Sequence, residues 1–316
     1  MRSEVQALPK LFLERLHKII PSQKFNSVAN TFTISKPTVF RVNTLKTSRD
    51  SVRRTLENAG FHLTPVSWCP DAFILRKGRL RELEKTEAYA RGEICVQSLS
   101  SMIPPLVLEP KPGEFILDLT AAPGSKTTQM ACLMRGEGHI VANDSNEVRF
   151  AKLEANVALQ GVKNVELIRS YGESIGRRYP ERFDRVLVDA PCSAEGRFNV
   201  HEPSSYRYWN LEKIRAIAKT QRKLIFSALL ALKPGGILVY STCTFAPEEN
   251  EAVTNEVLNK FGSVVELESV KFAIPNQMSG LLAWEGVEFH TSLKKAFRVL
   301  PTLEMDGFFI ARLRKN

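Results

Sequence analysis

Apolar positions along this chain recur with two different periods. Leu8, Phe12, Leu16 and Ile19 or Ile20 fall at helical spacing, so residues 5–20 read as an amphipathic helix. Residues 38–45 (TVFRVNTL) are rich in strand formers. Ser48 or Asp50 can cap a helix that runs to Ala59 and stops at Gly60. Two short strands, 61–68 and 72–75, follow and complete a small α/β module over residues 1–92. Residues 94–106 predict a helix that ends before Pro104 and Pro105 and docks this module onto the rest of the chain, residues 93–316.

From residue 114 onward strand and helix patterns alternate, which calls for a mostly parallel sheet. Strands are expected at 115–117, ending at Asp118, and at 139–143, before Asp144. A third is expected at 165–169, a fourth at 185–188 running into Asp189-Ala190-Pro191-Cys192-Ser193, and a fifth at 236–240 running into Ser241-Thr242-Cys243-Thr244. Segments 262–267 and 308–313 complete the sheet, and 127–133 and 147–160 are the intervening helices, the second closed by Gly161. Lys233-Pro234-Gly235-Gly236 reads as a turn into the fifth strand, and residues 221–232 as helix core and edge. There is no internal repeat and no low-complexity tract.

Composition narrows the class. At 316 residues, 43% hydrophobic, the chain can bury a large core and a smaller second one. The apolar stretch 8–20 is broken by Pro9, Lys10, Glu14, Arg15 and Lys18, so no membrane span is expected. The N-terminus lacks a signal-peptide core, and a cytoplasmic protein is expected. Cysteines at 69, 95, 132, 192 and 243 show no paired metal spacing, so neither disulfide nor metal is expected. The net charge of +10 is uneven: residues 1–110 hold 17 Lys and Arg against 10 Asp and Glu. A basic N-terminal part points to a polyanionic partner, most simply nucleic acid, against the alternative of a solvated surface. Arg41, Arg53, Arg54, Arg76, Lys77, Arg79 and Arg81 form its face in the first case and are scattered charges in the second.

The chemistry centres on residues 114–129, EFILDLTAAPGSKTTQ: a strand, a turn of small residues (Ala121, Ala122, Pro123, Gly124, Ser125), Lys126, Thr127 and a helix. Such a turn brings backbone N–H groups and a helix N-terminus against a nucleotide-like ligand. Ser125 separates Gly124 from Lys126, so a P-loop is excluded, and Thr120 and Ala122 stand where a dinucleotide site wants glycines. A turn around S-adenosylmethionine, which has no pyrophosphate, tolerates these residues; an ordinary βα turn is the plain alternative. Asp144 lies 26 residues beyond Asp118, the spacing of a ribose-binding carboxylate, and can equally cap the helix after it. Cys192 and Cys243 each follow a predicted strand among small or polar residues, which suggests a shared reactive cleft; on chemistry alone either is the nucleophile.

LDLTAAPGSKT, LVDAPCSAEG and VYSTCTFAPEENE, with FRVNTLK upstream and DGFFIARL at the end, closely resemble the Sun-type RNA (cytosine-5) methyltransferases from about residue 36 to the C-terminus. The resemblance implies an α/β class I methyltransferase fold: a Rossmann-like, mostly parallel sheet with an antiparallel last strand, preceded by a small α/β RNA-binding domain. It further implies S-adenosylmethionine as methyl donor, structured RNA (transfer or ribosomal) as substrate, and a monomer. By resemblance Cys243 is the nucleophile that adds to cytosine C6, Asp189 holds the N3 and N4 edge, and Cys192 assists loss of the C5 proton. Lys126 contacts the base or lowers a cysteine pKa. Ala121 to Thr127 meet the methionine end of the cofactor, Asp144 its ribose, and Asp189 lies near the sulfonium. The pattern departs at Tyr171, where many relatives carry an Asp for the adenine amino group; Tyr171 stacking on the adenine, or Glu173, would replace it. The segment 197–209 resembles the family's base-proximal loop, with His201 a candidate RNA contact, and Arg298 and Pro301 line the RNA cleft or serve structure. A catalytically idle RNA-binding factor on this fold is the alternative, and a methyltransferase for DNA or protein a third reading; the first would require loss of thiols that are present.

Overall fold

The computed structural model describes residues 3–316; Met1 and Arg2, which open the expected N-terminal domain, lie outside the described residues. In chain order, a 3-10 turn at Ser3–Ala7 leads into α1 (Lys10–Ile19) and α2 (Ser22–Asn30). Next come β1 (Val39–Val42), α3 (Arg49–Asn58), β2 (His62–Val66), β3 (Cys69–Lys77), the single turns α4 (Leu80–Leu83) and α5 (Glu87–Ala90), and β4 (Ile94–Val96). They are followed by α6 (Leu99–Leu108), β5 (Phe115–Asp118), α7 (Ser125–Leu133), β6 (His139–Asn143), α8 (Glu147–Gln160), β7 (Val165–Ile168), α9 (Gly172–Arg178) and β8 (Phe183–Asp189). The last part holds α10 (Leu211–Ala231), β9 (Leu232–Thr242), α11 (Glu251–Phe261), β10 (Val265–Glu268), β11 (Gln277–Ser279), β12 (Ala283–Trp284), β13 (Val287–Glu288), β14 (Phe297–Val299) and β15 (Phe308–Lys315).

Two compact units share the chain. The first is Pro37–Asp189 with Ser227–Leu238; the second is Met1–Lys36, Ala190–Phe226 and Val239–Asn316. In the first, β2-β3-β1-β4 form an antiparallel sheet over a core that includes Phe40, Val52, Leu56, Phe73 and Ile94. The same unit holds β8-β5-β6-β7, parallel throughout, with Leu117 between Val186 and Val141. Ile116, Leu117, Val186, Leu187 and Val188 are wholly buried, as expected of strands covered on both faces. That parallel register brings the C-terminal ends of β5, β6, β7 and β8 to one edge, so their terminal residues become neighbours.

In the second unit β11-β14-β15 are antiparallel, and β10 pairs with β15 farther along the strand, Val265 facing Lys315. The strand order β11-β14-β15-β9-β8-β5-β6-β7 is a mixed and mostly parallel sheet with an antiparallel last strand, as a class I methyltransferase fold requires. The apolar cluster of the second unit joins Phe12, Leu16 and Phe32 to Phe198 and Phe245, with Phe12 tilted 4.8 Å from Phe198.

Three local expectations are corrected. Residues 94–106 are not one helix: Ile94–Val96 is a strand that pairs with β1, and α6 begins at Leu99 and runs through both prolines. Pro105 has no N–H for the Ser101 carbonyl, and the Gln97 side chain supplies a donor there instead, at 3.1 Å. The expected helix over 5–20 is interrupted at Pro9, so a 3-10 turn precedes α1. Arg41 is buried, not part of a nucleic-acid face: it donates to Gln97, to Thr128 at 2.9 Å and toward Cys132, joining β1 to α7. Arg53, Arg54, Arg76, Lys77, Arg79 and Arg81 are exposed. Asn43, two residues on, bonds the Gly92 and Gln160 carbonyls and fastens the same strand to α8.

Candidate active site

In the first unit the small-residue turn sits between β5 and α7. Gly124 caps α7 at φ 103°, and a Cβ there would lie 2.9 Å from Leu153 Cδ1, so backbone freedom and close packing both call for glycine. Two α8 side chains hold the turn: Arg149 donates to the Ala122 carbonyl at 2.7 Å and Asn156 to the Pro123 carbonyl at 2.8 Å. Asn143, at the end of β6, donates to the Leu119 carbonyl and accepts from the Ser170 amide, stitching three strand ends together. Ala121 and Ala122 are buried and add little bulk, and the first N–H groups of α7 have no carbonyl in their own helix to meet.

Three carboxylates stand at the strand ends of this unit. Asp118 is buried and accepts the Thr127 hydroxyl at 2.6 Å. Burial pushes its carboxyl up to about 7, with Asp189 and Asp144 adding and Thr127 and Lys126 opposing. Asp144 is buried, accepts the Asn146 amide at 3.0 Å, and pairs with Arg149 at 3.3 Å. The expected capping role falls to Asn146 instead, whose side chain accepts the Arg149 amide at 2.9 Å, while Asp144 braces the turn before it. Asp189, half-buried at the end of β8, forms an ion pair with Lys126 at 2.6 Å. Lys126 also donates to Ser101 Oγ at 2.7 Å, so α6 contributes to the same cluster. Tyr171 precedes α9 with its ring exposed, and its carbonyl accepts the Ser174 hydroxyl.

The second unit brings the two thiols together. Cys192 Sγ and Cys243 Sγ lie 3.2 Å apart, and the Cys243 N–H points at the Cys192 sulfur from 3.4 Å. All five cysteines are free. The hydrogen bond with Cys243, then burial and the neighbouring Cys243 and Glu249 charges, push the Cys192 thiol well up. Around the pair, Thr244 donates to Glu195 at 3.0 Å, which leaves the Ser193 hydroxyl, 2.7 Å away, to donate to Thr244. Glu195 also accepts Trp209 Nε1 at 2.8 Å and the Phe245 amide at 3.0 Å; burial raises its carboxyl. Gly196 donates to the Cys243 carbonyl at 2.9 Å. A Cβ on Gly196 would meet the Gly307 carbonyl at 2.2 Å, so the DGFF segment presses directly on this loop.

Of the expected site residues, Ala121 to Thr127, Asp144 and Asp189 gather at the strand ends of the first unit, Tyr171 stands exposed beside β7, and Cys192 and Cys243 meet in the second. His201 is exposed and its ring lies 3.1 Å from the Thr33 carbonyl. Arg298 is buried against Glu251 and the Phe245 carbonyl, the structural of its two readings. Sequence reasoning missed Ser101, Glu195, Gln221 and Glu249. Glu195 and Glu249 stand three and six residues after a site cysteine, a nearness that is their only local signal. Among the described residues no group of three His, Cys, Asp or Glu side chains is placed to hold a metal, and no helix is long and apolar enough to cross a membrane.

Parallel strands ending in carboxylates, a small-residue turn capping a helix and an antiparallel last strand define a class I methyltransferase. The comparisons give the family. Residues 105–314 match the family described as 16S rRNA methyltransferase RsmB/F, and residues 8–98 the N-terminal domain of 16S rRNA methyltransferase RsmF; the chain belongs to this family of RNA methyltransferases. It is 38% identical over 316 residues to a tRNA (cytosine(49)-C(5))-methyltransferase of Pyrococcus abyssi, covering 99% of this chain and 98% of that protein. It is also 38% identical over 314 residues to the ribosomal RNA small subunit methyltransferase F of Vibrio campbellii, covering 98% of this chain but 63% of that protein. A methyltransferase homolog from Pyrococcus horikoshii superposes with a TM-score of 0.86 at 36% identity over the full length of both chains. NSun6 from the same organism, solved with SFG, gives 0.81 at 25% identity, covering 98% of this chain and 99% of that one.

Proposed function

We propose that this chain methylates C5 of cytosine in structured RNA, using S-adenosylmethionine, through a covalent adduct between Cys243 and cytosine C6. The observation that carries the reading is the thiol pair, two sulfurs 3.2 Å apart on loops that follow strands. Cytosine C5 is a poor nucleophile; addition of a thiolate at C6 turns the ring into an enamine whose C5 can accept a methyl group. In this reading Cys243 forms the C6–S bond, and Asp189, paired with Lys126, holds the N3 and N4 edge of the base. Cys192 then takes the C5 proton; the C5–H electrons restore the C5–C6 double bond and the C6–S electrons return to Cys243. One thiol alone would have to add to the ring and also remove its proton; two neighbouring thiols divide the tasks.

The cofactor, when bound, supplies the activated methyl group. The residues of the first unit suit it chemically. The N-terminal amides of α7 offer donors for a carboxylate, Asp144 an acceptor for ribose hydroxyls, and exposed Tyr171 a face for the adenine. A relative bound to SFG, an analogue of S-adenosylmethionine, supports this choice. The N-terminal α/β module (residues 1–92), with its exposed basic residues, serves RNA docking ahead of the catalytic domain (93–316). The substrate is of the two kinds for which relatives are named, transfer RNA or small-subunit ribosomal RNA. Extrusion of the target base from its stack costs a few kcal/mol, which the site must recover in contacts.

The test is transfer of labelled methyl from S-adenosylmethionine to total RNA. Label that is RNase-sensitive and recovered as 5-methylcytidine supports the reading. Label that resists RNase, that enters DNA or protein, or that never leaves the cofactor refutes it.

A further inference from the structure

Cys192 stands on a loop held from both sides by two buried side chains. Gln221 on α10 donates its Nε2 to the Pro191 carbonyl at 2.8 Å and to Glu249 Oε2 at 2.9 Å. The same Glu249 oxygen accepts the Ser193 amide at 3.0 Å. The peptide groups flanking Cys192 are therefore tied to one Gln–Glu pair. Glu249 is wholly buried, yet its Oε1 has no hydrogen-bond partner among the described residues, and neither does Gln221 Oε1. A buried carboxyl with one oxygen doubly bonded and the other bare is poorly satisfied in either state: ionised, it leaves a desolvated charge; protonated, it has an O–H in search of an acceptor.

The groups that face it make this state responsive. Burial pushes the Glu249 carboxyl up to about 7, and the negative charge of Glu195 adds, while the bonds from Ser193 and Gln221 oppose. The Arg15 charge, on α1, offsets Glu195, and the Tyr240 hydroxyl donates to the Glu249 main-chain carbonyl at 2.6 Å. Cys192 in turn feels the Glu249 charge along with Cys243. Neighbouring anions repel, so a charged Glu249 disfavours the Cys192 thiolate.

We propose that Glu249 is a positioning residue for Cys192: with Gln221 it fixes the two peptide groups that flank the thiol, and its negative charge disfavours the Cys192 thiolate. This rests on the reading of Cys192 as acceptor of the C5 proton. The Glu249 charge is one of the forces that hold the proton on Cys192, and a neutral Glu249 eases its loss. Cys192 as thiolate takes the C5 proton, forming S–H; the C6–S bond breaks toward Cys243, and the proton leaves to water before the next turnover. With Glu249 ionised, Cys192 holds its proton more tightly and the adduct resolves more slowly.

The test compares wild type with Glu249→Gln, which keeps the size and an acceptor for the Ser193 amide but removes the charge. Iodoacetamide labelling of the Cys192 peptide, followed by mass spectrometry from pH 6 to 9, needs no RNA. Loss of the neighbouring charge is expected to move the labelling profile to lower pH and to speed labelling about threefold or more at pH 8. Glu249→Asp, which keeps the charge, should retain the wild-type profile. With RNA present, the pH dependence of adduct resolution near neutrality should disappear in Glu249→Gln. An unchanged labelling profile in a Glu249→Gln protein that melts like wild type overturns the proposal. So does an equal loss of labelling at every pH, which marks a purely structural role. If the profile moves but no methyl reaches RNA, the reaction assigned above fails while the link between Glu249 and Cys192 stands.

Discussion

Replacing Asp118 by Asn probes the buried strand end beneath the small-residue turn. Asp118 is wholly enclosed, accepts a hydrogen bond from Thr127 Oγ1, and its carboxyl is raised from 3.8 to about 7 by burial. The unfolded chain ionises this group near pH 4, whereas the folded chain keeps it protonated to about 7. Its contribution to stability is therefore fully present below pH 4 and is lost as pH rises to 7. Over that gap of about three pH units, at about 1.4 kcal/mol each, the loss approaches about 4 kcal/mol. Asn keeps the acceptor for Thr127 but cannot ionise. The stability of Asp118→Asn minus that of wild type, from urea unfolding between pH 5 and 8, should climb by about 1.4 kcal/mol per pH unit up to about pH 7 and then level off. Taking the difference cancels other titrating groups, Glu249 among them. A difference independent of pH, or one that falls as pH rises, would refute the reasoning and mean that Lys126 keeps Asp118 ionised.

Two further outcomes test the thiol-bearing unit. Gly196→Ala forces a Cβ to within 2.2 Å of the Gly307 carbonyl, against backbone that cannot turn aside, and should cost about 3 kcal/mol in urea unfolding; a neutral result would mean the two loops separate freely. Arg298→Met leaves Glu251 charged and unpaired in the core and should cost about 3–5 kcal/mol, most of it recovered in Arg298→Met with Glu251→Leu. Unfolding curves of all three proteins decide the point, and a double variant no more stable than the single would contradict it.

The parts legible in the sequence are those whose signal is local. Residues 139–143 and 147–160 were readable as strand and helix because hydrophobic period and closing Gly161 agree within one segment, though the cap is Asn146 and not the expected Asp144. The site residues at strand ends were readable because a parallel sheet turns position in sequence into position on an edge. Residues 94–96 were not, since their strand exists through pairing with β1, more than fifty residues away. Nor was the course of α6 through two prolines, which depends on Gln97 reaching back to the Ser101 carbonyl. Gln221 reads as helix core, and it is buried, but its amide works on the Cys192 loop and on Glu249, partners 28 and more residues away. Arg41 reads as a surface charge because nothing nearby announces Thr128 and Cys132 as its partners.

The division of labour proposed for the two thiols is tested most directly by trapping the enzyme on RNA. Wild type, Cys192→Ala, Cys243→Ala and the double variant would each be incubated with S-adenosylmethionine and substrate RNA, then run under denaturing conditions. The account predicts a covalent protein–RNA band that accumulates for Cys192→Ala and is absent for Cys243→Ala and the double variant. A band that accumulates for Cys243→Ala, with methyl transfer intact, would mean the roles are reversed; no band in any lane would remove the covalent mechanism.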